Sequence, residues 1–234
     1  MKKIKIQRKT VYHNMKKPKI INKYMNKDGI IIARLSSKSK IKEYYNENND
    51  IEMIKGNNKI ISIRYNKKGN VQGFNAFRIK MDNTILYNLY SVISYNENNQ
   101  INEIKLSLQD FSNNTISNNV RNYEYTDSEI ISYNDKDKVI YTLDNKVKKS
   151  ISTKYIIEYT YDENNRRASK KITNNETGNI ENYTYEYYDN GYIVKDENDG
   201  IVYKYLLNEN GDIIERRNSK DELMYTCEYE YYEE

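Results

Sequence analysis

One recurring turn punctuates this sequence from end to end. A Tyr, Leu or Met is followed by Asn or Asp, two polar residues, a Gly, Asn or Asp, and often a returning Ile or Val. The series begins Met25-Asn-Lys-Asp-Gly29, Tyr45-Asn-Glu-Asn-Asn49-Asp-Ile51, Tyr65-Asn-Lys-Lys-Gly69-Asn-Val71 and Tyr95-Asn-Glu-Asn-Asn99-Gln-Ile101. It continues with Tyr133-Asn-Asp-Lys-Asp137-Lys-Val139, Tyr161-Asp-Glu-Asn-Asn165, Tyr188-Asp-Asn-Gly191 and Leu207-Asn-Glu-Asn-Gly211-Asp-Ile213. Asn and Asp close turns with their own side chains and tolerate positive φ. Gly or Asn at the fourth or fifth place supplies the left-handed residue that short hairpin loops need.

Between the turns, Tyr, Ile, Val and Thr alternate with charged residues, the period of a half-buried strand. Tyr155, Ile157, Tyr159 and Tyr161 share one face, as do Tyr183, Tyr185 and Tyr187, and again Tyr225, Cys227, Tyr229 and Tyr231. Anchors 25, 45 and 65 lie twenty residues apart, which marks a repeat array; later gaps of 30, 38, 28, 27 and 19 show insertions. The expected fold is all-β: successive antiparallel hairpins in one long twisted or curled sheet. One short helix has room at residues 82–93, where a buried strand fits equally.

Composition bears on two alternatives. Low hydrophobicity (37%) with many Asn and Lys could mean disorder, but 26 tyrosines in dense alternating runs argue against it. Each Tyr buries a large ring while its hydroxyl stays hydrated or bonded. The single Pro18 suits uninterrupted strands. A lone Cys227 excludes an intrachain disulfide and points to a reducing compartment. The basic N-terminus has no apolar run after it, so it is not a secretory signal. No stretch reaches the roughly 18 apolar residues of a membrane helix. The expected location is cytoplasmic, which makes the sequons at Asn113, Asn175 and Asn182 chance matches.

The chain divides into a basic arm or edge strand (1–24), a first hairpin array (25–101), an irregular insertion (102–122) and a second, acidic Tyr-rich array (123–234). Charge follows this order. Residues 1–40 hold 13 Lys or Arg and one acid, whereas residues 155–234 hold 9 basic and 19 acidic side chains. Such a polarised chain can meet two different partners or pair its own ends.

The search for chemistry yields no catalytic, cofactor-binding or metal-ligating residues. His13 is the only histidine and lies in the basic arm without an evident partner. Ser37 and Lys40 match a nucleophile spacing without a companion motif. Asp196-Glu-Asn-Asp-Gly200 resembles half a calcium loop, but Leu207 stands where the closing Glu belongs. What remains is contact chemistry. The candidate partner-binding residues are Lys16, Lys17, Lys19, Arg64, Arg78, Arg121, Arg166, Arg167, Glu228 and Glu230. Tyr interleaved with Lys and Arg can clamp single strands, while acidic rows can imitate a phosphate backbone.

Tyr159-x-Tyr161-Asp162-x-x-Asn165-Arg166 and Tyr185-x-Tyr187-Tyr188-Asp189-x-Gly191 resemble the tyrosine-aspartate (YD) repeats of RHS-type proteins. The resemblance is best over residues 155–215. It implies long hairpin sheets that carry no catalysis themselves. The function expected is a non-enzymatic intracellular protein-binding module. Its concrete form is a phage- or mobile-element-encoded stoichiometric inhibitor of a nucleic-acid-processing effector, of the anti-CRISPR kind, or an immunity protein that neutralises a toxin. The alternatives are a nucleic-acid-binding module using the basic arm and Tyr/Arg surface, and an RHS-type structural shell fragment. No cofactor or membrane partner is expected.

Overall fold

The computed structural model describes residues 4–12, 19–25, 31–37, 41–48, 50–56, 58–80 and 84–232, and of residues 4 and 31–37 the backbone alone. Lys16, Lys17, His13 and Lys40 lie outside the described residues. All regular structure among the described residues is strand. In chain order these are β1 Ile4–Val11, β2 Lys19–Met25, β3 Ile31–Ser37, β4 Lys42–Tyr45, β5 Ile51–Lys55, β6 Lys59–Tyr65, β7 Val71–Ile79, β8 Ile85–Tyr95, β9 Ile101–Asp110 and β10 Thr115–Tyr125. There follow β11 Glu129–Tyr133, β12 Asp137–Thr142, β13 Val147–Ser152, β14 Tyr155–Tyr161, β15 Arg167–Asn174, β16 Ile180–Tyr188, β17 Gly191–Asp196, β18 Ile201–Leu207, β19 Ile213–Asn218 and β20 Leu223–Tyr231. Neighbours in sequence pair antiparallel from β4 to β9 and from β10 to β20. The protein is therefore all-β and built of successive hairpins.

Most of the recurring turns share one geometry, while those at Tyr133–Val139 and Tyr188–Gly191 close without a register shift. In Tyr65–Val71, Asn66 Oδ1 accepts from the amides of Lys68 and Asn70, and the Gly69 amide returns to the Asn66 carbonyl. Gly69 sits at φ 82°, and the same place is held by Asn99, Asn145, Asn165, Asp199, Gly211 and Asp221 at positive φ. The ladder then shifts register, pairing Tyr65 with Val71 and Tyr95 with Ile101. This is a tight turn closed by a left-handed residue and a one-residue bulge. At three of these turns a second bond links the hairpin to the one before it. Tyr65 Oη donates to the Ile51 carbonyl, Tyr95 Oη to that of Val71 and Tyr161 Oη to that of Val147, each at 2.7 Å. The tyrosine before one turn thus secures the apolar residue after the previous turn, where the bulge has interrupted the ladder. That explains why the two residues recur together.

The strands form two compact units. The first comprises Met1–Val11, Met15–Arg121 and Glu228–Glu234; the second Tyr12–Asn14 and Asn122–Cys227. In the first unit, Ile51, Ile54, Ile61, Ile63, Val71 and Ile93 turn one face of β5–β8 inward, and Ile6 and Tyr24 of β1 and β2 pack on it. Each isoleucine so buried contributes roughly 1.5–3 kcal/mol. The buried Tyr24 hydroxyl is satisfied by Glu43 Oε1 at 2.9 Å. Burial, helped by that carboxylate, pushes its pKa well up.

Three stretches differ from, or settle, what the sequence left open. Residues 85–95 are strand β8, so the short helix is not formed there. Residues 101–125 are regular: β9 and β10 flank a short turn in which Asp110 Oδ1 accepts from the amides of Ser112 and Asn113. The described part of the basic N-terminus is neither a free arm nor an edge, because β1 pairs with both β2 and β20. Arg8 forms an ion pair with Glu230 there, so the polarised chain does pair its own ends. No helix among the described residues is long and apolar enough to cross a membrane.

Candidate functional site

Two surfaces stand out, one in each unit. The first lies on β8–β10 of the first unit. Residues 111–120, Phe-Ser-Asn-Asn-Thr-Ile-Ser-Asn-Asn-Val, contain no charged side chain, in a chain that is 31% charged. Thr115 to Val120 are exposed without interruption, and Ile116 keeps 66% of its surface. Exposed Tyr90, Val92, Leu108, Phe111 and Val120 lie along β8–β10 beside it. A groove of about 360 Å³ runs between Tyr90, Val92, Lys105, Leu106, Asn118 and Val120. β10 pairs with β9 along one edge. On its other edge β11 reaches only Asn122–Tyr125, so Thr115–Val120 meet no strand there among the described residues.

Arg64 borders this surface. It stands opposite Gly73 on β7, where an added Cβ would come within 2.0 Å of the Ser91 carbonyl oxygen. The absence of a side chain lets Arg64 cross the strand. Its Nη2 donates to that carbonyl at 3.3 Å and its guanidinium lies 4.9 Å from the Tyr90 ring centre.

The second surface belongs to β14–β20. Register places Tyr159, Lys170 and Tyr183 in one row and Tyr187, Tyr192, Tyr205, Arg216 and Tyr225 in another, both on one face. Tyr192 and Tyr205 stack at 4.5 Å, and Tyr187 lies 5.2 Å from Tyr192. Cations lie over the outer rings: Arg167 over Tyr159 at 4.6 Å, Lys170 over Tyr183 at 5.3 Å and Arg216 over Tyr203 at 3.7 Å. Burial raises the phenols; Tyr205 is pushed to about 12 despite the opposing Arg216 charge. Tyr183, bonded to Glu181, also rises to about 12. Burial lowers the Lys170 pKa, and the charges of Arg167 and Arg216 lower it further.

The opposite face of these strands carries ion pairs: Lys149–Glu158 at 2.9 Å, Lys195–Glu186 at 2.5 Å, Lys204–Asp221 at 2.9 Å and Arg217–Glu215 at 2.5 Å. One face of the second unit is thus self-neutralised and the other is not. Such exposed pairs each contribute only about 0–1 kcal/mol, so their interest lies in where charge remains.

Of the residues singled out from sequence, Arg167 belongs to the aromatic face and Arg64 to the border of the apolar surface. Arg166 is exposed but tied to Asp162 at 2.9 Å and laid 4.3 Å from the Tyr187 ring centre. Glu230 is held by Arg8; Glu228 is exposed beside it on β20. Lys19 opens β2 and Arg78 faces Tyr87 across β7–β8; both are exposed and join neither surface. Arg121 is half-buried at the end of the first unit. Lys170 and Arg216 were missed by the sequence reading. The signal for Arg216 was its parity with Tyr205 across the Asn208–Gly211 turn, legible only with the bulge counted. Among the described residues, no group of three His, Cys, Asp or Glu is placed to hold a metal.

No protein-family model and no curated protein matches the chain. Among solved structures, a porin-like protein from Bacteroides vulgatus ATCC 8482 is similar at 11% identity and TM-score 0.40, covering 99% of both chains. Another from Bacteroides uniformis ATCC 8492 is similar at 9% identity and TM-score 0.41, covering 96% of both. The Photorhabdus luminescens Tc holotoxin pore is similar at 10% identity and TM-score 0.24, covering 88% of this chain and 16% of that one. Likenesses of this degree identify neither a family nor an activity.

Proposed function

We propose that the chain is a non-enzymatic, intracellular protein-binding module, acting as a stoichiometric inhibitor that docks an extended segment of its target along β10. The observation that carries this reading is the uncharged, exposed run 111–120 beside an unpaired strand edge. Proteins ordinarily protect such edges with Lys, Pro or a covering element. An edge left bare and flanked by apolar side chains suits strand addition, in which main-chain bonds give affinity and alternate side chains give selectivity. Ile116 and the groove at Val92, Leu106 and Val120 supply that selectivity. The Tyr-Asn/Asp hairpin unit also supports kinship with tyrosine-aspartate repeats at the level of the repeating unit.

The test is affinity capture from the native host with the full chain, comparing the natural protein with the double variant Ile116→Lys, Val120→Lys. Both positions are exposed, so the fold should survive, which circular dichroism checks. One dominant protein captured at near-equal stoichiometry, and lost with the variant, is expected. Capture unchanged by the variant, or no dominant protein, would overturn the reading. Recovery of nucleic acid instead would move it to nucleic-acid binding.

A further inference from the structure

We infer that the open edge of β10 pairs with the same edge of a second copy of this chain, and that this reversible dimer covers the docking strand until a target displaces it. The inference rests on the reading of β10 as the docking edge and adds the regulation of that edge. Among the described residues the edge is open over a short window. The window begins after the turn at 111–114 and ends before Asn122, the first residue that β11 pairs. Residues 115–121 fill it, and Asn118 stands at its centre.

The main chain fixes which groups face the window. The Thr126 amide donates to the Glu129 carbonyl, so it faces β11. Amides alternate between the two edges of an antiparallel strand. Those of Ile116, Asn118 and Val120 therefore point to the same edge, into the window. Lay a second β10 antiparallel against it, with a two-fold axis at Asn118. Ile116 then stands opposite Val120 of the copy, Asn118 opposite Asn118 and Val120 opposite Ile116. Each of these pairs exchanges both main-chain bonds. The side chains also match, because opposite residues share a face. The exposed Ile116 and Val120 meet each other, and the Asn118 amides meet donor to acceptor. An axis at Ser117 would set Ile116 against Asn118. An axis at Asn119 would set Val120 against Asn118 and bring the copy's Ile116 to Asn122, which β11 already pairs.

Charge favours a copy as the occupant. Natural edges repel their own kind with Lys. Residues 111–120 carry no charge, and the pairing sets Arg121 against Thr115, so no like charges meet. Two-fold pairing uses the same edge of both copies, so assembly closes at two. A seven-residue strand on each side stays below the roughly 1,200 Å² of a stable interface. The dimer is therefore transient. A target strand with further contacts competes it away, at an apparent affinity lowered by the share of β10 held in dimers.

Sedimentation velocity of the full chain across micromolar concentrations tests this. A monomer–dimer equilibrium is expected. Asn118→Lys and Asn118→Asp each bring like charges together at the axis, so each alone should dimerise about tenfold or more weakly. An equal mixture of the two should recover the dimer. The position is exposed, and recovery on mixing also shows that both chains are folded. In concentrated natural protein the amides of Ile116, Asn118 and Val120 should exchange slowly, and on dilution as fast as in the Asn118→Lys monomer. A monomer at every concentration, a dimer unchanged by both variants, or no recovery on mixing would overturn self-pairing. With self-pairing overturned, fast exchange of those amides would still leave β10 an open docking edge. Slow exchange in the Asn118→Lys monomer would remove both readings.

Discussion

A phenol hydroxyl does the joining between repeats. Tyr95 Oη reaches the Val71 carbonyl across the neighbouring hairpin. Tyr95→Phe keeps the ring and deletes that bond, so a loss of about 0.5–1.5 kcal/mol in urea unfolding is expected. Tyr87→Phe, which removes a hydroxyl with no such bond among the described residues, should change stability by less. Equal effects would mean the hydroxyl ladder is incidental. The left-handed residue is the second point of stress. Asn145 holds φ 64°. Asn145→Ala should cost about 1–2 kcal/mol, whereas Asn145→Gly should be close to neutral. If both substitutions destabilise equally, the backbone conformation is not what selects Asn. These residues were legible in the sequence as turn formers. The Tyr–carbonyl bond was not, because it joins atoms 14 or 24 residues apart whose meeting depends on hairpin length.

Strands were read well where turn chemistry bracketed them and poorly where it did not. β6–β7, β14–β15 and β16–β17 follow from Tyr-Asn or Tyr-Asp turns and alternating faces. Residues 102–122 lack alternation because Thr115–Val120 are exposed on both sides, so there is no buried face to impose a period. The one-residue bulges hid the aromatic face as well. Each shifts side-chain parity across its hairpin, which separated Arg216 from Tyr205 in the sequence. That face makes its own prediction. Tyr183 and Tyr205 titrate at about 12 in the fold, against about 10 unfolded. A raised folded-state pKa means their stabilisation is full below pH 10 and lost as pH rises through about 12. Tyrosinate absorbance from these residues should therefore climb between pH 10 and 12 together with loss of the strand signal in circular dichroism. Complete tyrosine ionisation near pH 10 with strand signal intact would contradict a protected face.

At the scale of the whole chain, all-β hairpin architecture was written in the punctuation, while the two candidate surfaces were not. The first unit draws its stability from the isoleucine face. Ile61→Ala, at a nearly closed position, should cost about 2–5 kcal/mol in denaturant unfolding; a loss under about 1 kcal/mol would mean that face is not a core. The proposed function depends on the opposite property, a strand left exposed. In an antiparallel strand, successive amides point to alternate edges. Residue-resolved hydrogen exchange of the free protein over Thr115–Val120 tests that most directly. The expected result is alternation: slow amides facing β9 and fast amides, exchanging as in an unpaired chain, facing outward. Uniform protection across these six residues would show the edge already covered and leave β10 no room for a partner strand.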